Sequence, residues 1–469
     1  MRLPTSTRGE RVLAFLLLAS LPLANPYIRG EGNGNYAYLR SLAVDGDLQF
    51  ENEYRRGDPD FVTSNFRRAD GHLWPPMRMP GGRVRNQWPS GAALLWSPAF
   101  LQVHAAALAL RALGVDVPAD GYALAYRLAC AAATAVYGGL ALLLAARAAA
   151  RVARRPAALL AAAGLWLASP LPVYMYFLPF YAHVPAAFAA SVFLWWWLAR
   201  RPLVRAMEWA AWGAAFGLLV AIDHFALPLV LVPIIEWTRD AWHRGRGPAS
   251  SIVERARRGT AFAAAAAVVA LPEMAAKWIL HGSPLRSGRL TRFYWGEPHL
   301  WETGFSTQHG AFLWTPLLLA AAAGLVLLAR RDRATGVPLL GAFAACYYLV
   351  ASYELWHGSS SFGNRFFVTL TPVFVIGLAV LLDGVHEAMG WIAPRLRWPV
   401  LAAPLALLAA WNLGLMFQWG TGMMPRQGAV DPAVVARNQV DGVPRRIASF
   451  ALRYLRSREE AAQEPRAAE

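Results

Sequence analysis

Apolar runs close to the length of a membrane-spanning helix recur eleven times along the chain, at 11–28, 123–146, 157–175, 183–199, 206–222, 224–237, 259–279, 311–329, 337–353, 367–383 and 398–418. A spanning helix takes ~20 apolar residues, so the pattern predicts an all-α polytopic membrane protein of about 11 transmembrane helices. Runs such as 261–271 and 317–329 argue against an ordinary soluble two-domain protein. The first run follows Arg2, Arg8 and Arg11 in the manner of a signal peptide. No small-x-small cleavage site leads into a soluble domain, so a retained first span is expected.

The charges between the runs set a topology. Arg147, Arg151, Arg154 and Arg155 follow the second run, Arg200, Arg201 and Arg205 the fourth, and Arg330, Arg331 and Arg333 the eighth. Short arginine-dense loops mark the cytoplasmic side. With the basic segment 238–258 also inside, the extracytoplasmic loops become 29–122, 280–310 and 354–366. Residues 1–418 then form one transmembrane domain, and 419–469 a polar tail outside, with an exposed helix expected at 444–457. Residues 91–113 are apolar enough to span, but a span there would put Arg147 to Arg155 outside. They are therefore read as a helix lying on the outer leaflet, with Trp88 and Trp96 at headgroup depth.

Composition changes this picture little. The hydrophobic share is 57% and the mean hydropathy +0.32, both high for a soluble chain. The net charge of +16 comes largely from loop arginines that set topology and meet anionic headgroups. No basic nucleic-acid-binding motif is present, so nucleic acid is not an expected partner. Cys130 and Cys346 stand in separate apolar runs, with no disulfide framework or zinc spacing. Nucleotide fingerprints and nucleophile elbows are also missing.

Candidate chemistry concentrates in the long outer loops. Glu31, Asp45, Asp47, Glu51 and Glu53 lie just after the first span. Glu31 stands among glycines that would allow close approach to a ligand, where a base could take a proton from an acceptor hydroxyl. Glu31, Asp45 and Asp47 offer oxygen ligands suited to a divalent cation such as Mg or Mn; a solvated turn explains the aspartates equally well. Helical spacing puts Tyr36, Arg40 and Ala43 on one face. Lys277, Arg292, His357 and Arg365 are basic groups at the membrane edge, suited to an anionic lipid phosphate. Tyr36, Tyr38, Arg40, His309 and Trp356 are the candidates for an acceptor or sugar, although membrane-interface anchoring also accounts for aromatics. Arg365 opens the tenth span, where a charge is costly unless paired or functional.

Several stretches carry a family resemblance: Gly30-Glu31-Gly32 through Tyr36-Ala37-Tyr38-Leu39-Arg40-Ser41-Leu42, Trp88-Pro89-Ser90-Gly91, Gln308-His309-Gly310 through Thr315-Pro316, and Ser361-Phe362-Gly363-Asn364-Arg365-Phe366-Phe367. In order, they resemble the GT-C superfamily of membrane glycosyltransferases, in its protein-mannosyltransferase-like and aminoarabinose-transferase-like branch. The resemblance implies a GT-C-like bundle whose long first outer loop carries interfacial helices. It implies an inverting glycosyltransferase moving a sugar from a polyprenyl-phosphate donor to an envelope acceptor, at the outer face of a bacterial cytoplasmic membrane. Membrane lipid and the polyprenyl-phosphate-linked sugar are its implied partners, Glu31 its loop-one carboxylate and Arg365 its lipid-phosphate contact. The usual residue at the base position is Asp, often followed by Glu, whereas this chain has Glu31-Gly32. Two competing readings are a transporter or flippase for a lipid-linked or anionic solute, and a non-catalytic envelope scaffold. Mid-span charges and broken repeats would mark a transporter; here the charges gather at the outer span ends.

Overall fold

The computed structural model describes residues 7–55, 61–62, 72–79, 82–244, 250–289 and 291–456. Parts of the 29–122 loop and of the 238–258 segment, and the tail from 457 on, lie outside the described residues. Six described helices are long and apolar enough to cross a membrane: Gly91–Ala112, Leu124–Ala149, Ile252–His281, Arg333–Ala351, Arg365–Ala388 and Pro394–Gly420. All eleven expected runs fall on helical segments, yet several are shorter or broken. Proline explains the breaks, because it lacks an N–H and disfavours a helical residue before it. The first run is helical over Arg8–Ala19 before Pro22, and the third over Arg155–Leu167 before Pro170 and Pro172. Pro228 sits within the 3-10 turn His224–Val230, and Pro316 separates Ala311–Trp314 from Pro316–Arg331.

The 91–113 stretch, expected on the outer leaflet, forms one of the six spanning-length helices. It buries Trp96 and Phe100 and exposes Leu94, Leu101 and Leu108, as a helix with one face on the protein and one on lipid would. In the 29–122 loop, Glu31–Arg40 and Glu51–Arg55 are helical, and Ile28–Arg29 pairs in parallel with Phe61–Val62.

Small residues let the helices approach. Gly213 and Gly217 stand four apart on the Ala206–Ile222 helix, where an added Cβ would run into the backbone carbonyls of Phe262 and Ala266 on the Ser250–His281 helix. Such small-xxx-small faces substitute close van der Waals packing for a hydrophobic driving force that lipid cannot supply. Around this contact Trp212 stacks on Trp197 and Phe193, with Phe262 edge-on. Backbone cannot yield as a flexible side chain does. Gly213→Ala is expected to cost ~1–3 kcal/mol, read as a lower unfolding temperature of the purified protein in detergent.

The bundle has two chemically distinct ends. At one end Arg147 pairs with Glu10, Arg154 reaches Asp383 at 3.2 Å and Glu387 at 2.9 Å, and Arg201 reaches Thr335 at 2.7 Å and Glu236 at 3.2 Å. The arginine-dense loops that the charge pattern assigned to one side therefore meet. At the other end the helix starts and loops enclose a charged cavity.

Candidate functional site

Glu31 opens the Glu31–Arg40 helix, where its charge favours the positive end of the helix dipole. Every residue from Gly32 to Arg40 is buried, so its polar groups need partners within the protein. Asn35 donates to the Phe180 carbonyl at 3.0 Å, and Asn86 donates to the Gly34 carbonyl at 2.8 Å. The Tyr36 hydroxyl donates to the Gly121 carbonyl at 2.5 Å and Tyr38 to the Trp88 carbonyl at 3.0 Å. Of the glycines around Glu31, Gly32 and Gly34 give clearance to neighbouring protein. A Cβ at Gly32 would strike the Phe180 side chain at 2.7 Å, and one at Gly34 the Trp88 ring. They let the helix sink between neighbouring segments and so fix where Glu31 stands.

The Glu31 carboxylate bridges two other elements. Its Oε1 lies 3.2 Å from His183 Nε2, at the first residue of the His183–Arg200 helix. Its Oε2 lies 3.2 Å from Arg365 Nη2, where the 3-10 turn Arg365–Leu370 enters the Thr371–Ala388 helix. Burial pushes the Glu31 carboxyl up, but the charges of Arg365, His183 and Arg289 outweigh it and hold the group at about 2. The Arg365 guanidinium also lies over the Tyr181 ring, 5.5 Å from its centroid, and burial pushes that tyrosine up to about 12. Arg365 Nε and His183 Nδ1 are buried without a hydrogen-bond partner among the described residues.

A carboxyl held below its ordinary ~4.3 contributes stability that is complete above the unfolded value and is lost as pH falls through the folded one. Wild type and Glu31→Gln should therefore differ in unfolding temperature by a steady margin from neutral pH to about pH 5. The margin should then shrink towards about pH 2.

Glu31 and Arg365 lie in the wall of a cavity of 610 Å³. Among the described residues, Arg29, Arg85, Arg289 and Arg426 also line it, and Glu31 is the one acidic residue of the lining. Aromatic groups hold several of these cations. Arg289 lies over Phe225 and Tyr353, 5.5 and 5.8 Å from their centroids, and donates to the Tyr353 hydroxyl at 3.2 Å. Arg426 lies over Trp419 at 5.3 Å, and Arg85 donates to the Gly288 carbonyl at 2.9 Å. Trp88, Leu178, Leu355 and Phe366 add apolar wall. The cavity thus suits an anion joined to an apolar or flat group.

The other sequence candidates lie outside this lining. Asp45 pairs with Arg40 and accepts from Asn52 at 2.7 Å, while Asp47 accepts from the Ser41 hydroxyl at 2.7 Å and the Gln49 N–H at 3.1 Å. Arg40 also reaches Glu53 at 3.0 Å and covers the Tyr122 ring at 4.7 Å. Lys277 is buried and donates to the Trp88 carbonyl at 2.6 Å, with Glu273 at 3.7 Å. Together with Tyr38 it fastens the backbone of a residue whose ring lines the cavity. The Arg292 backbone N–H donates to the Glu354 carboxylate at 2.8 Å. His309 faces the His357 carbonyl across 2.9 Å, and burial presses its imidazole down to about 4. His357 accepts from the Ser359 N–H at 3.0 Å and is likewise pushed down by burial; Trp356 is buried edge-on to it. Glu31, Asp45 and Asp47 do not converge, and no group of three or more His, Cys, Asp or Glu among the described residues could hold a metal ion. The present side chains therefore do not fit the divalent-ion site considered from sequence.

His183 escaped the sequence reading, as did Arg29, Arg85, Tyr181 and Arg426. His183 could have been found: it opens an apolar run as Arg365 does, where a polar group needs a partner.

No protein-family profile matches the chain, and neither does any curated protein. Among solved structures it is similar to ArnT from Cupriavidus metallidurans bound to undecaprenyl phosphate, at 13% identity over 93% of this chain and 73% of that one, with a TM-score of 0.46. It is also similar to the Archaeoglobus fulgidus oligosaccharyltransferase in complex with Zn and sulfate, at 18% identity over 86% of this chain and 52% of that one, with a TM-score of 0.46. The apo form of that oligosaccharyltransferase gives 15% identity over 88% and 56%, with a TM-score of 0.48. The chain spans about half the length of the oligosaccharyltransferase. Superpositions this loose carry no argument about chemistry, so the functional reading rests on the cavity.

Proposed function

We propose that this chain is an inverting glycosyltransferase that moves a sugar from a polyprenyl-phosphate donor to an envelope acceptor, a lipid, glycan or protein. It acts at the outer face of a bacterial cytoplasmic membrane, as one GT-C-like domain over 1–418. The observation that carries this reading is one largely enclosed carboxylate, Glu31, set against Arg365 in an arginine-lined cavity with apolar walls.

In this reading the donor phosphate binds Arg365 and Arg289, and its prenyl tail leaves towards the lipid. The Glu31 carboxylate takes the proton of the acceptor hydroxyl as that oxygen bonds to the anomeric carbon. The bond from the anomeric carbon to the phosphate oxygen breaks, and polyprenyl phosphate leaves with the electron pair. A carboxyl held at about 2 is a weak base. Phosphate bound to Arg365 offsets the positive field that depresses it and brings its own negative charge, so donor binding raises the basicity of Glu31.

The test is to incubate purified protein with a panel of polyprenyl-phosphate sugars and measure released polyprenyl phosphate. Release by wild type, lost in Glu31→Gln, supports the reading. Movement of the lipid-linked sugar across a vesicle bilayer without release would replace transfer by transport.

Sidedness has its own test. Cys130 and Cys346 are buried, so an impermeant thiol reagent meets little background. A cysteine at Ser287, near the cavity rim, should be labelled in intact cells, and one at Arg151, at the opposite end, only after lysis. The reverse pattern would place the cavity in the cytoplasm.

A further inference from the structure

The Val443–Arg456 helix takes no part in the cavity, and its pattern is unlike that of the spans. At 100° per residue, Val443, Ile447, Phe450 and Ala451 fall on one broad side, and Arg445, Arg446 and Ser449 on a narrower one. Val443 is buried against the protein, whereas Ile447 is 49% and Leu452 56% exposed.

The helix is fastened beside the bundle at its start. Gln439, in the turn before it, accepts from the Gln418 side chain at 2.7 Å and donates to the Trp411 carbonyl at 2.9 Å. Asn438 donates to the Met423 carbonyl at 3.1 Å. These contacts engage the last turns of the Pro394–Gly420 helix, which reaches Trp419 in the cavity wall. The helix therefore leaves the protein next to the cavity end of the bundle, beside a spanning-length helix.

We infer that the Val443–Arg456 helix lies in the plane of the membrane surface at the cavity end, its apolar side among acyl chains and its arginines on anionic phospholipid headgroups. Arg445 reaches Asp441, in the turn before the helix, at 2.7 Å. The helix itself carries arginine and serine but no acidic residue on its polar face, which complements an anionic surface, and an apolar side this wide suits the acyl boundary. The same anchor fixes one end of the 421–431 segment, which carries Arg426 and Gln427 into the cavity wall. This inference does not depend on the glycosyltransferase reading.

The test uses the full-length protein in vesicles of phosphatidylethanolamine and phosphatidylglycerol, with single spin labels at Ile447, Ala451, Arg446 and Ser449. Oxygen, enriched in the acyl region, and a water-soluble nickel chelate report depth. The ratio of oxygen to nickel accessibility should be high at 447 and 451 and inverted at 446 and 449, with the labels shallower in pure phosphatidylcholine. Nickel access at all four positions would overturn the inference. So would labels at 447 and 451 shielded from both reagents, which would indicate a second copy or another protein. Equal depth in both lipid mixtures would overturn the assignment to anionic headgroups.

Discussion

Glu31→Gln is expected to slow sugar transfer by about 10²–10⁴-fold, the range typical for loss of a general base. Glutamine keeps the shape of the side chain and can still accept from Arg365, but it cannot take a proton. It also removes the one acidic group among the described residues that line an arginine-rich cavity. Donor affinity, measured by equilibrium binding of a polyprenyl-phosphate sugar, should therefore hold or tighten while the rate collapses. A carboxylate that merely props the structure would lower both together. A rate within tenfold of wild type would remove Glu31 as the base. If Asp45→Asn abolished transfer instead, the role would pass to Asp45 despite its pairing with Arg40.

Arg365→Lys carries the second large effect. The substitution keeps the charge but loses the planar two-point fork that matches phosphate oxygens. Losing one hydrogen bond between charged groups costs ~1.5–3 kcal/mol, so donor binding should weaken by roughly tenfold to a hundredfold, with transfer falling alongside. An arginine that only lends its charge to headgroups would tolerate lysine. Unchanged donor affinity and rate would take Arg365 out of the site. Arg292→Lys is the matching comparison: Arg292 lies outside the cavity lining, so it should bind donor as wild type does.

The two residues that meet in the cavity were legible because a charge at a span boundary needs a reason to be there. Their pairing was not, since nothing local links position 31 to position 365. His183 obeys the same rule and was passed over because an apolar run hides a single imidazole. Tyr36, Tyr38 and Arg40 stand on the helix that spacing foresaw, but their polar ends are taken up by backbone carbonyls, Asp45 and Glu53. Sequence shows that such groups need partners and cannot say whether the partner is protein or sugar. The spans show a similar division. Hydropathy located helical segments, and the arginine loops do gather at one end. Helix lengths depend on where prolines interrupt the backbone, so Arg8–Ala19 and Arg155–Leu167 came out short. For 91–113 hydropathy locates the helix alone, because an apolar helix reads alike whether it crosses lipid or lies on it.

The cavity wall draws on residues from Arg29 to Gln427, nearly the whole described chain. Each of its segments closes a long loop, which costs entropy before any contact repays it. Assembly of this wall must wait for the helices behind it, because His183 and Arg365 are aligned with Glu31 only once their helices have docked. Helical content alone therefore does not report that this cavity has formed; only the alignment of Glu31, His183 and Arg365 does.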